Sequence, residues 1–205
     1  IAEQIEIPRF LINHIQNINS NSFKDANIKQ SKARYPLVVF SHGLGGMRMQ
    51  NTIQMEELAS RGFIVIAMDH PYDANITFFD DGSLADYRSS IEGEVTPDEF
   101  WAIRIPQINT RSADVLFVLD KIEKMQGKDN DFWDMIDLEH IGIMGHSYGG
   151  ATAILSSSRD SRLDACVALD GWMVPIEKKI INKGLNIPFL YMGRPRWDNP
   201  LNYEN

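Results

Sequence analysis

Five short runs, at 37–40, 63–68, 140–144, 165–169 and 188–192, are apolar on nearly every residue. Side chains alternate across a strand, so a strand without polar alternation is buried on both faces. Helix-favouring segments separate the runs. The first spans 49–61 and ends where Gly62 serves as its C-terminal cap. A second follows Pro106, where Ile108, Val115, Leu119 and Ile122 recur at helical spacing until Gly127. A third spans 151–157. Strands alternating with helices predict a three-layer α/β fold, a mostly parallel sheet with helices on both faces. Ligands of such sheets bind beyond the carboxyl ends of the strands, so chemistry is expected just after a run.

The remaining segments are less regular. Residues 69–100 read as a long connection with a turn at Asp80-Asp81-Gly82, a functional loop or small lid. Residues 1–34 read as an N-terminal helix and a polar connector. Ile5, Ile7, Phe10, Leu11, Ile12, Ile15 and Ile18 are its apolar positions, diluted by Asn13, Asn17, Asn19, Asn21 and Asn27. The core is expected over 35–205, with no internal repeat, low-complexity tract or heptad.

A length of 205 residues suits one domain. Lysine plus arginine number 20 against 28 acidic residues, and the net charge of −8 repels a phosphate backbone, so nucleic acid is excluded as a partner. No apolar run approaches the roughly 20 residues that span a bilayer. A lone cysteine, Cys166, leaves no internal disulfide and no CxxC site. It suits a reducing cytoplasm and a bacterial secreted enzyme equally. The opening Ile1-Ala2-Glu3-Gln4 carries neither an initiator methionine nor a signal pattern, and reads as a piece of something longer.

Gly145-His146-Ser147-Tyr148-Gly149 matches G-x-S-x-G, directly after the run 140–144 and directly before the helix at 151. That strand–turn–helix context is a nucleophile elbow. A sharp turn lifts the serine oxygen clear of the sheet, and glycine at 145 and 149 permits the close backbone approach. A hydrolytic serine also needs donors for an oxyanion. The expected pair is the amide of Tyr148 and that of Leu44, in the loop His42-Gly43-Leu44-Gly45-Gly46. These act through backbone N–H, leaving the side chains at 44 and 148 to shape a pocket.

The segments 40–46, 58–65, 145–152 and 168–173 together resemble the platelet-activating-factor acetylhydrolase family of α/β-hydrolases, over about residues 35–192. Leu169-Asp170-x-Trp172-Met173 is the most particular of them. The resemblance implies an α/β-hydrolase-type sheet and a triad acid at Asp170, which lies 23 positions after Ser147. Asp170 also ends the run 165–169 on the reactive edge. Asp198, after the run 188–192, is the rival position, and the motif around Asp170 favours the former.

The triad order is serine, acid, histidine. None of the five histidines, His14, His42, His70, His140 and His146, follows Ser147. The resemblance implies a histidine-bearing loop beyond Asn205, so the expectation is an incomplete core whose base lies outside it. His42 is assigned a hydrogen-bonding role in the oxyanion loop. His140 is expected to start a strand and face solvent, and His146 to be structural and point away from the site. His70, beside Asp69, Tyr72 and Asp73, is placed in the substrate pocket with Trp172 and Met173. A metal held with those aspartates is the alternative not adopted.

The resulting expectation is a serine-dependent carboxylic-ester hydrolase working through an acyl-enzyme, with no metal or organic cofactor. Its implied substrate is a small-molecule ester or a phospholipid with a short acyl group. Two other readings share the scaffold: a catalytically silent binding module, and an acyltransferase in which an alcohol replaces water.

Overall fold

A computed structural model describes residues 19–29, 31, 33–128 and 131–193, with positions 8, 10 and 17. Most of the expected N-terminal helix, His14 and Asp198 lie outside the described residues. Five strands form one sheet: β1 (Tyr35–Ser41), β2 (Ile64–Met68), β5 (Ile136–His146), β6 (Leu163–Leu169) and β7 (Phe189–Met192). All pairings are parallel, in the order β2-β1-β5-β6-β7. Leu37, Val39, Ile141, Ile143, Cys166 and Ala168 form a buried cluster with apolar residues of α2 (Pro97–Met125) and α4 (Tyr148–Ser157). On the other side Val38, Gly142, Ala165 and Val167 line a cleft of about 310 Å³ with Leu58 of α1 (Thr52–Ser60). This is the α/β-hydrolase architecture. Two further helices, α3 (Asp131–Asp134) and α5 (Lys178–Lys183), are short. No helix among the described residues is long and apolar enough to cross a membrane.

Gly62 ends α1 as expected, with φ +90°. Its N–H donates to Ala59 O at 3.1 Å and that of Phe63 to Leu58 O at 3.2 Å, the paired bonds of a Schellman cap. Four features differ from expectation, among them α4, which begins at Tyr148 and not at 151. The connection 69–100 contains a hairpin of β3 (Ile76–Phe78) and β4 (Leu84–Asp86) around the Asp80-Asp81-Gly82 turn. Helix α2 begins at Pro97, not after Pro106. Thr96 and Glu99 form a capping box at its start. Pro106 removes the N–H that would bond Ala102 O, but Ala102 is exposed, so water can satisfy that carbonyl. Strand β5 begins at Ile136, four residues before the expected 140, and pairs Ile136 with Tyr35 ahead of a register shift.

Candidate active site

The parallel register aligns the ends of four neighbouring strands. Ser41 pairs with Met68 and with Gly145, and His146 pairs with Leu169. The segments carrying His42 to Gly46, His70, Ser147 and Asp170 therefore leave the sheet side by side, all at its carboxyl edge.

Ser147 stands between β5 and α4 at φ 54°, ψ −116°, a conformation costly for any side-chain-bearing residue. The chains around it approach closely. A Cβ on Gly145 would meet Gly149 O at 2.0 Å, and one on Gly149 would meet Ser41 O at 2.0 Å. The Ser147 N–H donates to Leu169 O and its carbonyl accepts from the Trp172 N–H, both at 2.9 Å. Asp170 lies between those partners with φ 49°, and its N–H donates to Met192 O at 2.6 Å.

The loop after β1 rests against this turn, since a Cβ on Gly43 would lie 3.3 Å from Ser147 Cβ. Most of its amides are engaged. Gly43 N–H donates to Gln50 Oε1 at 2.8 Å. Gly45 N–H donates to Asp73 O and Gly46 N–H to Gly43 O, both at 2.9 Å. The Leu44 N–H has no partner among the described residues. Tyr148 opens α4, where a first-turn N–H has no carbonyl within its own helix.

Three side chains depart from expectation. Tyr148 does not shape a pocket: its ring is fully buried and its hydroxyl lies 3.1 Å from Arg104 O and from Gln107 Oε1. His70 does not line one either. It is 1% exposed, with Nε2 2.9 Å from Ser41 Oγ and Nδ1 2.8 Å from Asp114 Oδ2. Both nitrogens are occupied because β2 delivers the ring beneath α2 rather than into the mouth of the sheet. His146 lies against the loop after β1 instead of pointing away, its Nδ1 3.2 Å from where a Gly43 Cβ would be.

Trp172 and Met173 are half-buried against the core. Trp172 packs 5.5 Å from the Tyr148 ring and 6.0 Å from Phe100. The neighbouring apolar cleft, about 360 Å³, is lined by Trp101, Ile105 and residues 174–178 instead. His140 sits within β5, is exposed, and bonds Asp137 Oδ2 at 2.8 Å, which raises its pKa. No hydrogen bond joins Ser147 Oγ to any of the four described histidines. Among the described residues no group of three or more His, Cys, Asp or Glu is arranged to hold a metal ion.

A buried polar network behind the loop was not anticipated. His42 bonds Gly43 O through Nδ1 at 2.6 Å, and its Nε2 accepts the His70 N–H at 3.1 Å. Those two partners fix a neutral ring with its hydrogen on Nδ1. Burial first, and then Arg111, push its pKa down to about 3. Burial and Arg111 likewise push His70 well below its ordinary value. Burial raises Asp114 to about 6 against the pull of Arg111. Arg111 is 1% exposed and donates to Ser41 Oγ at 3.2 Å, to Asp73 Oδ2 at 3.5 Å and to His42 O. The signal was an arginine inside the apolar stripe of α2, three residues after Ile108 and four before Val115.

The family model for platelet-activating factor acetylhydrolase, isoform II, matches residues 2–204. A platelet-activating factor acetylhydrolase of Gallus gallus is 32% identical, over 80% of this chain and 45% of its own. One of Canis lupus familiaris is 33% identical, over 83% and 42%. The chain thus spans under half the length of these relatives. Among solved structures, a ferulic acid esterase from Streptomyces cinnamoneus superposes with a TM-score of 0.66 at 32% identity, covering 85% of this chain and 46% of that one.

Proposed function

Because the chain belongs to the platelet-activating factor acetylhydrolase isoform II family, we propose that it carries the serine, acid and oxyanion donors of a carboxylic-ester hydrolase. The observation that supports this most is Ser147, held at a positive φ on the carboxyl edge of the sheet beside the Leu44 N–H, which has no partner among the described residues. In this reading Ser147 Oγ bonds to the ester carbonyl carbon while its proton passes to a histidine supplied from outside the described residues. The carbonyl electron pair moves onto oxygen, and the Leu44 and Tyr148 N–H groups donate hydrogen bonds to the resulting oxyanion. Asp170 orients the histidine and stabilises its charged form. Collapse breaks the bond to the alkoxy oxygen, which leaves as alcohol with that proton. Water then repeats the sequence and releases the acid.

The substrate in this reading is a phospholipid with a short acyl ester, or a soluble ester of similar size. The names of the relatives and of the ferulic acid esterase support that range. A second reading, ligand binding without turnover, is favoured by one observation: no described histidine reaches Ser147 Oγ.

Intact-mass measurement after exposure to a fluorophosphonate separates the two. The expected result is one label per chain on the full gene product and none on Ser147→Ala. An unlabelled full gene product overturns the hydrolase reading and leaves the binder.

A further inference from the structure

We propose that Arg111 is a positioning residue for this reaction, holding the loop after β1 so that the Leu44 N–H faces the substrate's carbonyl oxygen. The inference rests on the ester-hydrolase reading and extends it to a residue some distance along α2.

The loop has little of its own to hold it. Gly43, Gly45 and Gly46 bring no side chains to pack, and glycine is the residue with most backbone freedom to lose. Its conformation is set by hydrogen bonds instead, one of them donated by the Arg111 guanidinium and another made to Asp73, which pairs with Arg111. The peptide joining His42 to Gly43 is held at both ends, its carbonyl by Arg111 Nη2 and its N–H by Gln50 Oε1. The next peptide has its carbonyl, Gly43 O, held by His42 Nδ1–H and by Gly46 N–H. A trans peptide is planar, so its N–H points opposite to its carbonyl. Fixing Gly43 O therefore aims the Leu44 N–H.

The following peptide is reached through Asp73. Its main-chain carbonyl accepts the Gly45 N–H, and its carboxylate pairs with Arg111. The same guanidinium lies 5.0 Å from the ring centre of Tyr148, whose amide is the second donor. One buried side chain thus touches both segments that carry the oxyanion donors. Stability alone is a weak reason for it to be there. A buried guanidinium is expensive to desolvate, its carboxylate partner is 3.5 Å away, and its Nε has no partner among the described residues.

The test compares hydrolysis of an oxoester with its thionoester, on the full gene product as wild type, Arg111→Met and Arg111→Lys. Sulfur is larger and a poorer acceptor than oxygen, so misaimed donors slow the oxoester far more than the thionoester. Arg111→Met is expected to lower kcat for the oxoester about 100-fold, with KM within about threefold and the oxo-to-thiono ratio falling by a similar factor. Arg111→Lys keeps a cation and a donor for His42 O, and is expected to recover about a tenth of the wild-type kcat and part of the ratio. It also carries the test if the methionine variant does not fold. A ratio unchanged in the folded variant overturns the proposal, because a merely structural role slows both substrates alike. Ser147→Ala, run in parallel, separates the two failures: activity that survives it overturns the hydrolase reading and this inference together.

Discussion

The carbonyl of Ser147 accepts the N–H of Trp172 at 2.9 Å, and the Ser147 N–H donates to Leu169 O, three residues earlier in that segment, at the same distance. The serine is thereby tied by both backbone groups to the stretch that contains Asp170. Its positive φ is held by these bonds and by the contact of Gly149 with Ser41 O, not by its own side chain. Asp170, itself at φ 49°, is anchored through its N–H to β7. Two residues in costly conformations are braced against each other, a pattern found where geometry serves function.

Relieving that strain should trade activity for stability. In Ser147→Gly the φ of 54° and ψ of −116° carry no steric cost, while the unfolded chain gains freedom. The net expectation is a gain of about 1 kcal/mol in unfolding free energy, with hydrolysis abolished. Urea unfolding of the two forms reads it, and a lower midpoint for the glycine form contradicts the strain argument.

Asp170→Asn should leave the fold intact and the serine in place while misorienting the base. A fall in kcat of about 10³–10⁴-fold is expected, with KM little changed. Steady-state kinetics on the full gene product measure it. Loss of less than about tenfold would remove Asp170 from the triad and reopen the question of which acid serves Ser147.

Gly62→Ala isolates a purely structural use of glycine. The residue sits at φ +90°, and the nearest atoms to an added Cβ are those of Tyr35 at 3.9 Å, so conformation and not crowding sets the cost. Stability should fall by about 1–2 kcal/mol with kcat unchanged. Denaturant midpoints and a single assay suffice.

The parts legible in the sequence were those with one physical cause. The strands at 37–40, 63–68 and 165–169 are apolar because one face is buried in the core and the other is half-buried beside an apolar cleft, and the structure places β1, β2 and β6 there. The elbow glycines were legible because backbone contact allows nothing larger. What stayed hidden depends on which way a side chain turns. Residues 136–140 include Asp137 and Glu139, so the first half of β5 did not look buried. Pro106 looked like a helix boundary because its neighbours' exposure is a tertiary property. Tyr148, His70 and Arg111 were hidden for a related reason. Each is a polar residue buried at a sheet edge or in a helix stripe, and only the assembled network makes its burial tolerable.

That network has a signature in the pH dependence of stability. His42 is neutral when folded, its pKa pushed down to about 3 from the ordinary value of 6.5. Between those values the unfolded chain holds a proton on this ring that the folded chain does not. Its contribution is therefore complete above about pH 6.5 and is lost as pH falls toward 3. Asp114, raised to about 6, acts with the opposite sign, because the folded state holds the extra proton there. A difference between variants removes that shared background. His42→Asn keeps a donor for Gly43 O but cannot titrate. Over about pH 4–5.5 the slope of unfolding free energy against pH should be smaller in this variant by about 1.4 kcal/mol per pH unit, the value for one proton. Urea unfolding at several pH values measures both slopes. Equal slopes would mean that His42 is already charged in the fold, which its acceptance of the His70 N–H through Nε2 forbids.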